Sequence, residues 1–333
     1  MDSIKPGSNG ITLPSDLWFD QPDAHNHIDQ QYQSKRISAE QAECLRTFVD
    51  DGYLVFSLDV HPHLFRALQN CVEQLWQDRP EDVAYAYFSP PLPMSDSDPA
   101  QERKSRYRIH DLHSICEAAF HLYLNRTIFT YIELLFDQPA VAIQSLYFEY
   151  GSQQIPHRDP QVVPVKPASH LLAAWIALEN IDPDCGPLLY VPGSHRIPYY
   201  ELAPGQFFFN AAKMGEKEIE AGRAWDQAQC HAWGLTTQHF TPKQGQVLIW
   251  HHSLLHGGAT INNDTLTRKS FVVHYSTKAH YHRRGITLAR KDGQGGFTAG
   301  QALYTDQTIE FEGCCGFKSP LRFCSTGKED CFH

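Results

Sequence analysis

The chain has 333 residues, 42% of them hydrophobic and 20% charged, with a formal net charge of -10. That balance is globular and not disordered, and an acidic chain disfavours nucleic acid as a partner, because phosphate backbones select basic surfaces. No run of 18 apolar residues exists, so a membrane span is not expected. The opening MDSIKPGSNGITLPSD lacks the apolar core of a signal peptide, and a cytoplasmic location follows as the expectation. Five of the nine cysteines, Cys44, Cys71, Cys116, Cys185 and Cys230, are scattered singly and read as free thiols of a reducing compartment.

Residues 1–37 are polar, with Pro and Gly, and read as an N-terminal extension wrapping the surface. Ser38-Ala39-Glu40-Gln41 is a capping box. It starts a helix that carries Ala42, Leu45 and Phe48 at helical spacing. Gly52 ends that helix, and residues 53–58 read as a strand. A second amphipathic helix covers 63–77, with Leu64, Leu68, Val72 and Leu75 on one stripe and Pro80 as its stop. The pattern then breaks over 81–112, where Pro90, Pro91, Pro93 and Pro99 punctuate a stretch bearing Arg103, Lys104, Arg106 and Arg108. Segments of this kind serve as lids or binding loops, and a solvated surface loop is the alternative. A helical stretch follows over 113–135.

From Val141 onward short apolar runs alternate with Gly, Pro, Asn and Asp. The texture is mostly β, with the preceding helices flanking an antiparallel sandwich or jelly roll. An aromatic-rich insertion, 196–236, interrupts the series and reads as a second lid-like segment, with a packed accessory segment as the alternative. The main domain is taken as 38–290. The tail, 291–333, holds Cys314, Cys315, Cys324 and Cys331, whose spacing does not match common zinc sites. Free thiols or a labile disulfide are expected there.

The chemistry concentrates in FEYGSQQIPHRDPQVV, 148–163. On an extended segment His157 and Asp159, two apart, share a face. A third ligand is available in WHHSLLHGG as His256, with His251 and His252 as competitors. Two imidazoles and one carboxylate make the facial triad of non-haem Fe(II) oxygenases. Arg268 follows His256 by twelve residues and opens RKSFVVHY. Ser270, two residues on, shares its face. A buried guanidinium is suited to clamping a carboxylate bidentately. Gln144 and Tyr147 differ by three and face opposite sides of a regular strand. Gln144 is placed inward, towards a co-substrate, because a polar amide amid AIQSL needs a partner; capping a neighbouring backbone group is the alternative. Tyr147 and Arg158 are retained as candidate substrate contacts.

The order Q-x-x-Y-F-x-Y-G-S-Q-Q-x-x-H-x-D, then GPLLYVPGSH, then H-x(4)-H-G-G, then Arg, resembles the phytanoyl-CoA dioxygenase family over residues 38–275. The resemblance implies a double-stranded β-helix core and dependence on Fe(II), 2-oxoglutarate and O2. It places the metal ligands on His157, Asp159 and His256, the 2-oxoglutarate arginine on Arg268, and an aromatic beside the co-substrate on Trp175. It implies a small-molecule substrate and release of succinate and CO2. Related halogenases carry a small residue where Asp159 stands, so its presence implies hydroxylation or a related oxidation. One departure is Gly258, where many members have Ser; Ser270 is the candidate replacement. Two rival readings of the same residues are a zinc hydrolase, for which no HExxH is present, and a jelly-roll binding protein without activity.

Overall fold

The computed structural model describes residues 10–86, 91–163, 165–202, 216–281, 284–294, 298 and 300–320. Ser38 caps the helix Ala39–Asp51: its side chain accepts from the Gln41 N–H, and the Gln41 side chain accepts from the Ser38 N–H. Two donors that a helix start leaves unpaired are thereby satisfied. Gly52, at φ 81°, turns the chain in the left-handed region into the strand Tyr53–Ser57. The helix His63–Asp78 turns Phe65, Leu68, Val72, Leu75 and Trp76 inward, with Leu64 at the margin of that stripe.

Antiparallel pairing sets Gln246–His251, Leu172–Ala177, Ser270–Thr277 and Ala140–Phe148 side by side. Tyr53–Ser57 pairs with the outer side of Gln246–His251. A smaller sheet holds Gln238–Phe240, Leu188–Tyr190 and His256–Gly258, and a bridge joins His157 to His256. In chain order the segments pass from one sheet to the other, except that both strands flanking the insertion lie in the smaller sheet. This is a double-stranded β-helix, the expected jelly roll.

Strand parity divides the large sheet. On its inner face Leu146, Phe148, Trp175, Leu248, Trp250 and Val272 meet Leu188, Tyr190 and Phe240 of the smaller sheet. On its outer face Tyr147, Ile176, Ile249, Phe271 and Val273 join the core with helix residues such as Phe48, Leu68 and Phe129. With both faces covered, a strand reads as a continuous apolar run, which accounts for LAAWIA over 172–177. A bulge interrupts the ladder: Gln144 lies opposite His274 and Ala142 opposite Tyr275, leaving Ile143 unmatched.

Several expectations are revised. The helical stretch 113–135 is a short turn at Leu112–Ser114 and two helices, Glu117–Tyr123 and Arg126–Phe136. The Asn125 side chain accepts from the N–H groups of Thr127 and Ile128 and restarts the helix. Segment 81–112 contributes strands rather than a structureless loop. Ala84–Ala86 pairs with Leu92–Pro93 and Arg108–His110, and the latter pairs with Ala140–Phe148, extending the large sheet. Residues 10–37 enter the core through Leu17, Phe19, Ile28 and Ile37. Within the insertion, Tyr199–Tyr200 pairs with Gly10–Ile11, and Glu216–Ala232 is helical. Residues 203–215, including the QFFF run, lie outside the described residues. In the tail, Cys314–Phe317 adds to the large sheet beside Ala142, and Cys314 and Cys315 are buried free thiols. Cys324 and Cys331 lie outside the described residues. Among those described, no helix is long and apolar enough to cross a membrane.

Candidate active site

The backbones of His157 and His256 exchange N–H···O bonds of 2.9 and 3.0 Å. This locks two segments, nearly a hundred residues apart in sequence, into one rim. The Nδ1 atoms of His157 and His256 each lie 3.0 Å from a backbone carbonyl, Ile155 and Leu254 respectively. Nδ1 therefore carries the proton, and each Nε2 lone pair turns into the space between the rings. Asp159 Oδ1 lies 3.5 Å from Nε2 of His256 and 3.9 Å from Nε2 of His157. The three donor atoms all fall within 4.8 Å of one another. Burial, and then His256, push the His157 imidazole down to about 4, so it is neutral and ready to ligate near pH 7. Burial alone raises the Asp159 carboxyl, but His256, His274 and His157 outweigh it and hold the group well below its ordinary range. Two neutral imidazoles and one carboxylate are a donor set that fits a divalent transition metal with positions to spare.

Four further residues shape this group. Trp250 donates its indole N–H to Asp159 Oδ2 at 2.7 Å. His274 brings Nε2 to 3.6 Å from the same oxygen. Gln144 points inward, as expected, but its amide nitrogen is held by Nδ1 of His274 at 3.1 Å. It is thereby joined to the site through His274. The Gln154 amide nitrogen lies 3.2 Å from Nε2 of His157 and covers the lone pair a metal takes. The Trp250 bond to the outer oxygen of Asp159 is of the supporting kind that orients a ligand and tunes it, whereas the Gln154 contact must open for a metal to bind. The competitors His251 and His252 lie elsewhere, gathered with Asp20. The Ser253 N–H donates to Nδ1 of His251, so its Nε2 carries the proton and donates to Asp20 at 2.9 Å. That pair is complete without a metal.

Arg268 is 3% exposed. Its guanidinium lies 5.3 Å from the Phe148 ring and 5.6 Å from the Trp175 ring, and it donates to the Tyr150 carbonyl at 3.2 Å. Burial brings it down to about 10, so it stays cationic. No carboxylate pairs with it among the described residues. Arg268 Nε, Ser270 Oγ and Trp175 Nε1 are all buried without a hydrogen-bond partner. Buried polar atoms are nearly always paired, and an orphan set needs an explanation. An acidic ligand entering beside Ser270 supplies one. Gly258 has a separate reason to be glycine: a Cβ there would sit 2.6 Å from the backbone N of Gln153 and collide with Ser152 Oγ. A serine at that position is excluded by the loop carrying Gln154.

Two expected substrate contacts are revised. Tyr147 is on the outer face of the sheet, in the helix-packed core, because parity sets it opposite to Phe148. Arg158 is wholly buried and faces away from the triad. It donates to the Ile197 carbonyl at 2.6 Å, pairs with Asp226 of the helix Glu216–Ala232, and lies 4.5 Å from the Tyr199 ring. It ties the insertion to the ligand loop. Arg158→Ala strands a buried carboxylate, and a loss of about 3–5 kcal/mol is expected in urea unfolding. A variant as stable as the parent would remove this role.

A sequence model of the family described as phytanoyl-CoA dioxygenase (PhyH) matches residues 48–270, which include the His/Asp/His group and Arg268. The chain belongs to the phytanoyl-CoA dioxygenase family. It is 24% identical over 128 residues to the peroxisomal phytanoyl-CoA dioxygenase of Bos taurus, covering 38% of this chain and 34% of that protein. To the Rattus norvegicus enzyme of the same name it is 26% identical over 121 residues, covering 36% and 32%. The matched stretch thus spans about a third of the length of these curated relatives. Among solved structures, the non-heme alpha ketoglutarate dependent carbocyclase SnoK from nogalamycin biosynthesis is similar at TM-score 0.55 and 17% identity, over 73% of this chain and 86% of that one. EctD from S. alaskensis, with 2-oxoglutarate and 5-hydroxyectoine, is similar at TM-score 0.52 and 20% identity, over 73% and 77%. At these identities the structures support the fold.

Proposed function

We propose that the protein is an Fe(II)/2-oxoglutarate-dependent oxygenase that oxidises an unactivated C–H bond of a small organic molecule, releasing succinate and CO2. The observation that carries this reading is the juxtaposition of a three-donor His157/Asp159/His256 group with a buried, carboxylate-free Arg268 on the same inner face. His157, Asp159 and His256 would hold the iron. Arg268, with Ser270 and Trp175 beside it, would take the distal carboxylate of 2-oxoglutarate. When bound, iron and 2-oxoglutarate supply the oxidising power drawn from O2. The chain's part is to orient, to exclude water and to aim the substrate. Trp250 fixes one oxygen of Asp159 so that the other faces the imidazoles.

A zinc hydrolase has no use for Arg268, and a binding protein without activity has no use for the ligand geometry. The free thiols among the described cysteines support a reducing, cytoplasmic setting, and the net charge of -10 supports a small-molecule partner over nucleic acid. The test is succinate release by the purified protein with Fe(II), 2-oxoglutarate and O2, each omitted in turn. The expected result is formation only when all three are present. Succinate without O2, or turnover restored by Zn(II) alone, would overturn the reading.

A further inference from the structure

Beyond Arg268, a second arginine on the inner face lacks an acidic partner among the described residues. Arg108 stands directly opposite Phe148 in the pairing of Arg108–His110 with Ala140–Phe148. Residues directly opposite in an antiparallel pair leave the sheet on the same face. For Phe148 that is the inner face, shared with Leu146 and Trp175. On its other side Phe148 is paired with Ser270. The order across the sheet is therefore Arg108, Phe148, Ser270, with the Arg268 guanidinium 5.3 Å from the Phe148 ring.

Arg108 is only partly exposed, and among the described residues it has no hydrogen-bond or ion-pair partner. The other arginines drawn into the fold are neutralised: Arg158 by Asp226, and Arg103 by Glu73 and Glu149. Removing a cation from water without a counter-charge is unfavourable, and it persists here at the margin of the candidate site. Arg268 poses the same question, and the co-substrate answers it. A second anion is needed for the second arginine.

We infer that Arg108 recognises an anionic oxygen group, a carboxylate or a phosphate, on the substrate, which lies across Phe148 from 2-oxoglutarate. This rests on the oxygenase reading above and deepens it. The planar guanidinium fork matches either group bidentately. Phe148 then serves as a wall, keeping the co-substrate's carboxylate on the Arg268 side and the substrate's anion on the Arg108 side. Arg108 is a binding residue and takes no part in the oxidation.

The test uses the full chain, wild type and as Arg108→Gln, Arg108→Lys and Arg268→Gln. The probes are carboxylates and phosphate monoesters of graded size, each paired with its neutral amide or alcohol. Two readouts are taken: dissociation constants by anaerobic titration with Fe(II) and 2-oxoglutarate bound, and probe-stimulated succinate release. The anionic probes are expected to bind and stimulate, and their neutral partners are not; whether carboxylates or phosphates lead identifies the group. Arg108→Gln is expected to weaken the leading anion at least about tenfold. Its dissociation constant for 2-oxoglutarate and its melting temperature should stay at wild-type values, and Arg108→Lys should restore part of the loss. Arg268→Gln should do the reverse, weakening 2-oxoglutarate and sparing the anion. Neutral probes stimulating as well as anionic ones would overturn the inference. So would Arg108→Gln binding the leading anion like wild type, or losing 2-oxoglutarate in place of it. Failure of the oxygenase reading looks different: anions still bind through Arg108, but no succinate forms with any probe.

Discussion

Asp159→Ala is expected to lose both iron and product. Oδ1 is the atom facing the two imidazoles, at 3.5 and 3.9 Å, and its removal leaves a two-histidine site. Supporting residues around a metal already cost 10–100-fold in affinity when mutated, so deletion of a ligand is expected to weaken Fe(II) by about a hundredfold or more. The same change orphans the Trp250 indole N–H, buried against Oδ2 at 2.7 Å, at a cost of about 1–3 kcal/mol. Two measurements separate these effects. Anaerobic competition with a chromogenic chelator reads iron affinity, and thermal unfolding of the metal-free protein reads the Trp250 term. Asp159→Asn keeps an acceptor for Trp250 and so should recover stability without recovering iron. An Asp159→Ala protein that held iron and turned over at the parent rate would show that the triad is misassigned.

The site was legible in the sequence wherever a local rule acted. His157 and Asp159 are two apart, and His256 closes the rim through a backbone bridge. Ser38 and Gln41 sit at capping-box spacing, and the hydrogen bonds form as that spacing requires. His274 was equally available and went unread: it follows Arg268, Ser270 and Val272 at steps of two, and parity alone puts it on their face. Trp250 likewise follows Leu248 inward. What resisted reading was set by distant partners. Arg158 looks like a site residue from its neighbours, yet its fate is decided by Asp226, 68 residues on. The strands at 84–86, 92–93 and 108–110 are too short, and one too proline-marked, to declare themselves. They exist because the edge of Ala140–Phe148 offers them a ladder. Gln144 faces inward by simple parity with Leu146 and Phe148, whereas Ala142 is turned to the outer core by a bulge at Ile143 that no periodicity announces.

Arg268→Met is expected to give opposite signs in two experiments, and that opposition is what distinguishes a binding residue from a structural one. In the ligand-free protein Arg268 is a buried cation whose guanidinium, among the described residues, hydrogen-bonds only to the Tyr150 carbonyl, with the rings of Phe148 and Trp175 nearby. Replacing a poorly paired buried charge by an apolar side chain of similar length is often neutral or stabilising. The melting temperature without ligand is therefore expected to hold or rise. Towards 2-oxoglutarate the same change removes a charge-assisted, bidentate contact worth about 1.5–3 kcal/mol. The KM for 2-oxoglutarate is expected to rise about tenfold or more, with iron affinity unchanged because no triad atom is touched. Stabilisation by saturating 2-oxoglutarate, which follows from binding to the folded state alone, should shrink in parallel. A drop in ligand-free stability with an unchanged KM would mean that Arg268 is a structural cation and that the co-substrate's carboxylate is held elsewhere. A rise in KM with stability preserved would leave Arg268 little purpose in the fold except the ligand it waits for.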